Sequence, residues 1–205
     1  MAVTTYAAST ELDAVNQILS SVGQAPVTTL DLQNPEVAIV LTTLREVNRQ
    51  VQAEGWHFNV EYHYTFTPDS DTKEIEFPTN VLQLDTHTDS HRDDFDPIRR
   101  NGKFYDKFKH TYKWDNPIEA DVTWLFEFDD IPPAIQCYIT ARAARLAANK
   151  LVGDANLSQL LQEQEFQTRA AAMEYDCNQG DYSVFGWRDG RNYYNNFQPY
   201  HALIR

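Results

Sequence analysis

Three stretches of this 205-residue chain place chemically capable side chains at spacings that could act together. In Asp85-Thr86-His87-Thr88-Asp89-Ser90-His91 every second residue is an imidazole or a carboxylate, and on an extended strand such residues project from one face. Asp85, His87, Asp89 and His91 would offer nitrogen and oxygen ligands to zinc or another divalent ion. A solvated strand edge or loop favours the same residue types. Next, Arg99, Arg100, Lys103, Lys107, Lys109 and Lys113 interleave with Phe104, Tyr105, Phe108, Tyr112 and Trp114. Rings there could stack bases while the cations neutralise phosphates. Exposed lysines over inward rings equally describe an amphipathic surface hairpin guarded against edge pairing, or a surface for an acidic protein partner.

The third stretch is Glu54-Gly55-Trp56-His57-Phe58-Asn59, a compact cluster in a chain with four tryptophans and six histidines. It reads either as a ligand-binding corner or as a boundary between elements, and the flanking sequence favours the boundary. Before it, Asn34-Pro35-Glu36 supplies an N-cap oxygen, a proline preset for the first helical position and a carboxylate at the positive dipole end. Val37, Val40, Leu41, Leu44, Val47 and Val51 then form a helical stripe that stops at Gly55, which is expected to take a left-handed turn. After it the period becomes two, with Val60, Tyr62, Tyr64 and Phe66 alternating with polar residues as in a half-buried strand. Gly55, Trp56 and Phe58 are therefore expected to form a structural junction, the rings sealing helices against strands, with His57 a structural histidine.

The remaining elements follow from the same rules. Leu12, Val15, Ile18, Leu19 and Val22 predict a helix over 11–22, with Thr10 and Asp13 as a capping pair and Gly23 then Pro26 as stop signals. Strands are predicted at 74–77, 81–86, 97–100, 103–105, 111–114 and 121–128, with Asn101-Gly102 a two-residue hairpin turn. Past Asp129-Asp130-Ile131-Pro132-Pro133, a third helix carries Ile135, Tyr138, Ile139, Arg142 and Leu146 as far as Val152, and Gly153 breaks it. A fourth is predicted over 155–177, with Asp154 as N-cap, Leu157, Leu160, Leu161, Gln164 and Ala171 near one face, and Gly180 just beyond. Residues 181–205 show neither period but hold Tyr182, Phe185, Trp187, Tyr193, Tyr194, Phe197 and Tyr200. Rings gain too much from burial to stay in water, so this segment is expected to be an extended arm that binds a partner.

The fold class expected is α+β: a four-helix bundle with a β-rich insertion between the second and third helices and an extended C-terminal arm. In domain terms, residues 1–58 and 129–180 make a discontinuous helical bundle, 59–128 the insertion and 181–205 the arm.

Composition narrows the function classes. Thirty acidic against 17 basic side chains give a formal charge of −13, which argues against a uniformly basic nucleic-acid-binding surface. The N-terminal MAVTTYAAST lacks a basic segment followed by an apolar one, and no run approaches a membrane span, so a cytoplasmic protein is expected. Cys137 and Cys177 fall in helical patterns without metal-type spacing and are expected to be buried free thiols. The phosphate-cradle and nucleophile-elbow glycine patterns are absent. No catalytic residue, metal or cofactor is expected.

LDAVNQILSSVGQAPV, REVNRQVQAEGWHFN, FPTNVLQLD, NGKFYD and FDDIPPAIQCYITARAARLAANKLVGD, in that order, resemble the tail tubular protein A family of short-tailed (podovirus) bacteriophages across about residues 10 to 178. The helix ending in AEGWHFN, then strands, then the DIPPAIQCYITARAAR helix is the most specific part. The resemblance implies a head-to-tail adaptor, a virion protein assembled in the host bacterial cytoplasm as a ring of twelve copies. Its partners would be the portal protein and the tail nozzle protein, tail tubular protein B, and in some relatives the tail fibres; DNA would pass through without specific binding. The family pattern carries no catalytic residues. An acidic channel would offer no phosphate traps to passing DNA.

Overall fold

The computed structural model describes residues 10–86 and 95–180. Among them the fold is α+β, with helices α1 (Glu11–Ser21), α2 (Pro35–Gln52), α3 (Pro133–Leu151) and α4 (Ala155–Gly180). Between α2 and α3 lie strands β1 (Val60–Phe66), β2 (Val81–Thr86), β3 (Pro97–Arg100), β4 (Lys103–Asp106) and β5 (Ile118–Trp124), then a 3-10 turn, Phe128–Asp130.

Helices α1, α2 and α4 start where a side chain satisfies free backbone amides, Asp154 accepting from the Asn156 N–H at the start of α4, whereas α3 begins after Pro132 without a side-chain cap. Thr10 and Asp13 form a reciprocal capping box on α1, and Asn34 caps α2 with Pro35 in its first turn. Asn16 clamps the α1–α2 connection by accepting from the Val27 N–H (2.7 Å) and donating to the Val27 carbonyl (3.0 Å). Asp129 accepts from the Glu11 N–H (2.9 Å), tying the start of α1 to the turn that precedes α3. Val15, Ile18 and Leu19 of the stripe predicted for α1, and the whole stripe predicted for α2, are buried with Ile135, Tyr138 and Ile139 of α3 in one core that Trp56, Phe128 and Ile131 complete, while Leu12 and Val22 are half-buried.

Helix α4 departs from expectation. It runs through Gly180 rather than ending before it. Its packed face follows Leu157, Leu161, Thr168 and Ala172, whereas Leu160, Gln164 and Ala171 are exposed. The apolar residues of α4 lie all round the helix, so spacing alone did not select the face that meets α3. Cys137 and Cys177 are free thiols but exposed, not buried; both stand on outward faces of their helices.

The strands form a three-stranded antiparallel sheet in the order β1-β5-β2 and a separate hairpin, β3-β4. Asn101 and Gly102 turn the hairpin with φ of 53° and 72°, as the sequence predicts. A second core gathers Phe66, Ile75, Phe104, Trp114, Val122 and Trp124, and Phe126 packs against both cores.

Four strand expectations need correction. The alternation along β1 is broken by a bulge between Glu61 and Tyr64, where His63 takes φ 58° and Tyr62 is exposed. The Asp121 carboxylate accepts from the His63 N–H at 2.9 Å, and Glu119 lies 2.9 Å from its Nδ1, which stabilises the irregular backbone. Predicted strands 74–77 and 111–114 are reduced to single bridges, Glu76 to Lys103 and Asp106 to Thr111. Asp69 and Asp106 side chains turn the chain there through side-chain-to-backbone hydrogen bonds. The last strand covers Ile118–Trp124 instead of 121–128, since Phe128 begins the 3-10 turn.

Candidate functional site

The junction is built from amides. At the end of α2, Ala53 caps the helix and Gly55 takes φ 78°. Asn59 is fully buried and uses its whole side chain: its Oδ1 accepts from the Trp56 N–H (2.8 Å), and its Nδ2 donates to the carbonyls of Gln52 (2.8 Å) and Trp124 (2.9 Å). Gln52, also fully buried, donates to the Phe126 carbonyl (2.9 Å) and to Asn48 (2.9 Å) while accepting from the Phe126 N–H (2.8 Å). The Trp124 N–H donates to the Asn59 carbonyl at 2.8 Å. Two buried amide side chains thus splice the end of α2, the start of β1 and the end of β5 by satisfying backbone groups that would otherwise be stranded.

The rings of the cluster pack beside this splice. Trp56 is buried in the helical core, its Nε1 donating to the Val51 carbonyl (2.7 Å) and its ring 6.3 Å from that of Tyr138. Phe58 is half-buried against Phe126, with centroids 6.1 Å apart. His57 is exposed, and it is its backbone N–H that is used, donating to Asp176 of α4 at 2.7 Å. Glu54 meets Arg142 of α3 at 3.2 Å and Arg169 of α4 at 3.4 Å. Burial opposes the charge on Arg142, but the hydrogen bond to the Tyr138 hydroxyl and the carboxylates of Glu165 and Glu54 outweigh it and raise its pKa. These contacts fasten α4 to the junction rather than create a reactive centre. Sequence reading singled out Gly55, Trp56 and Phe58 but missed Asn48 and Gln52; the one available signal was two polar residues at helical spacing beside the buried stripe.

The basic aromatic segment is largely occupied with itself. Arg100 stacks over Tyr105 at 4.3 Å and Arg99 over Phe77 at 5.3 Å. Lys103 pairs with Glu74 and Lys107 with Asp96, and the Glu74 hydrogen bond raises the Lys103 pKa. Phe104 and Trp114 are buried, which leaves Phe108 as the large exposed ring of the segment. A platform for stacked bases needs free rings and unpaired cations; most of these are spoken for.

Of the metal candidate only Asp85 is described, exposed on β2 opposite Asp121; His87, Asp89 and His91 lie outside the described residues. So do the arm residues Tyr182, Phe185, Trp187, Tyr193, Tyr194, Phe197 and Tyr200. Among the described residues no group of three or more His, Cys, Asp or Glu is placed to hold a metal ion, and no helix is long and apolar enough to cross a membrane. An open groove of about 690 Å³ beside β1, bordered by Tyr64, Asp69, Glu74 and Lys103, is lined by neither imidazole nor thiol.

The described residues thus show satisfied amides at a splice, ion pairs between surface side chains and some large apolar side chains left on helix and turn surfaces. The functional class comes from the sequence comparisons. Residues 12–182 match the family described as tail tubular protein. The chain belongs to that family, whose members are structural proteins of phage tails and hence of virions. It is 28% identical, over 171 residues, to tail tubular protein A of Klebsiella phage KP34, covering 82% of this chain and 88% of that relative.

Proposed function

We propose that the protein is a non-catalytic head-to-tail adaptor: a ring of twelve copies seated between the portal protein and the tail nozzle protein, tail tubular protein B, through which DNA passes during ejection. The observation that carries the reading is the family match across residues 12–182, which takes in helices and strands alike. In this reading, residues 1–58 and 129–180 act as one discontinuous helical bundle, 59–128 as an insertion and 181–205 as an arm that binds the portal. Tyr182, Phe185, Trp187, Tyr193, Tyr194, Phe197 and Tyr200 are its anchors, since buried rings dominate interface energetics. Gly55, Trp56 and Phe58 hold the two parts in register. A formal charge of −13 supports passage of DNA without capture, and tail fibres would attach to the same ring.

Electron microscopy of the full chain mixed with portal rings tests the reading. Rings of this protein capping the portal are expected; uncapped portals at saturating protein overturn the adaptor role. Deletion of residues 181–205 is expected to abolish capping while circular dichroism stays that of the intact chain. Undiminished capping by the deletion overturns the role of the arm alone.

A further inference from the structure

Two surfaces far apart in sequence are apolar, uncovered by any described residue, and opposite in charge. The first is the turn after β4. Asp106 is 1% exposed, yet its carboxylate accepts from the Phe108 N–H at 2.9 Å, and its backbone N–H donates to the Thr111 carbonyl at 2.9 Å. His110 completes the turn with φ 54°, and Tyr105 reaches its ring nitrogen at 3.4 Å. This built turn presents Phe108, 60% exposed, at its tip. Lys109 and Lys113 beside it form no ion pair with a described residue, although Lys109 is close enough to Asp115 to influence its carboxyl.

The second surface is the outer face of α4. Phe166, Ala170, Met173 and Cys177 recur at i, i+4, i+7 and i+11 and are all exposed, on the side away from Leu161 and Ala172. Phe166 is 75% and Met173 52% exposed. Glu163 and Glu174, about three helical turns apart, border the same side of this stripe, exposed and without an ion pair to any described residue.

We infer that the Phe108 turn of one copy packs on the outer face of α4 in the next copy, with Lys109 and Lys113 set against Glu163 and Glu174. Charge selects this pairing. Two α4 faces in contact would oppose acidic borders, and two Phe108 turns would oppose lysines, whereas turn on helix joins unlike charges around apolar centres. A contact between two different patches of one chain is head-to-tail, the kind that propagates into a ring when its rotation closes. The inference rests on the ring reading proposed above and assigns it a contact.

Cysteine cross-linking on portal-bound assemblies decides the matter. With Cys137→Ser and Lys109→Cys in the full chain, a short bismaleimide is expected to join the thiol introduced at position 109 to native Cys177 of the neighbour. The product should be a ladder extending beyond dimers, because each copy links on both sides. Dimers that also form without Lys109→Cys mean α4 against α4 and overturn the contact. Rings that form but give no ladder overturn it while the adaptor reading stands; absence of any ring overturns both. As a second line, Lys109→Glu with Lys113→Glu is expected to raise the protein concentration needed for assembly about tenfold or more, as loss of a charge-matched contact would. Adding Glu163→Lys and Glu174→Lys to that variant is expected to restore assembly. Failure of the fourfold swap to restore it, or protection of Lys109 by short duplex DNA and not by assembly, overturns the inference.

Discussion

The two cores of this protein are built on different plans. Beneath the helices, side chains are mostly Val, Leu, Ile and Ala, repeated along α1, α2 and α3, with Trp56, Phe128 and Tyr138 as the buried rings. Beneath the strands, a few large rings from separate segments meet: Phe104 lies 4.8 Å from Phe66 and 4.9 Å from Phe77, and its carbonyl accepts from Trp114 Nε1 at 3.2 Å. A helical core spreads its burial over many similar positions. A ring-centred core concentrates it, and depends on turns to bring short segments together.

The largest expected effect comes from the ring at the centre of the strand core. Phe104→Ala is expected to cost about 3–5 kcal/mol, as large-to-small changes of buried aromatics do. In a Trp56→Phe, Trp187→Phe background, whose remaining Trp114 and Trp124 lie in the strand core, urea unfolding followed by tryptophan fluorescence and by far-ultraviolet circular dichroism would show the fluorescence midpoint falling further than the helical one. If both fall together, the two cores unfold as one unit and the contrast between them fails.

Asn59→Ala addresses the splice between them. It leaves the Trp56 N–H and the carbonyls of Gln52 and Trp124 without their buried partner, at about 1–3 kcal/mol per stranded group. A total loss of about 3 kcal/mol is expected, together with separation of the two unfolding signals. Separation without loss of stability would mean that the amide couples the cores but does not support them.

Gly55→Ala is a smaller break at the same place. An added Cβ meets only Val60 Cγ2 at 3.5 Å, ordinary contact, but φ of 78° disfavours any side chain. The expected cost is about 1–2 kcal/mol, the ordinary cost of a left-handed residue, with both signals moving together. A neutral substitution would show that the loop relaxes to a right-handed turn.

The smallest effect concerns pH. Hydrogen bonds from the Thr10 backbone N–H and hydroxyl hold the Asp13 carboxyl below its ordinary pKa. Asp69, through the Thr72 and Asp71 N–H groups, and Asp115, through Lys73, are lowered likewise in the strand region. A lowered folded-state pKa contributes stability above the unfolded carboxylate range, and that contribution is lost as pH falls through the folded value. Asp13 is well exposed, so Asp13→Asn should cost about 0.5 kcal/mol or less at neutral pH. The difference from the parent should vanish in acid; a penalty unchanged there would assign the effect to the side-chain shape and not to its charge.

Much of the helical half was legible because local signals and burial agree. Thr10 with Asp13 and Asn34 with Pro35 mark the starts, and every residue of the predicted α2 stripe is buried. The hairpin at Asn101-Gly102 was equally plain, since the turn needs positive φ that few residue pairs supply. The strand region was legible only in outline. The β1 bulge depends on carboxylates of Glu119 and Asp121, more than fifty residues away, and side-chain-to-backbone bonds of Asp69 and Asp106 replaced two expected strands with turns. At the junction, Gly55 and Trp56 announced a boundary, while Asn48 and Gln52 looked like ordinary polar positions on a helix.

Local backbone chemistry and the linear order of motifs were enough to place the helices, the hairpin turn and the family, though not every strand. Tertiary structure alone decided which side of α4 is packed and what Gln52 and Asn59 do. With apolar residues on every side of α4, only contact with α3 selects the buried one. An amide's role, likewise, is set by the backbone groups of Trp124 and Phe126 that the fold brings to it.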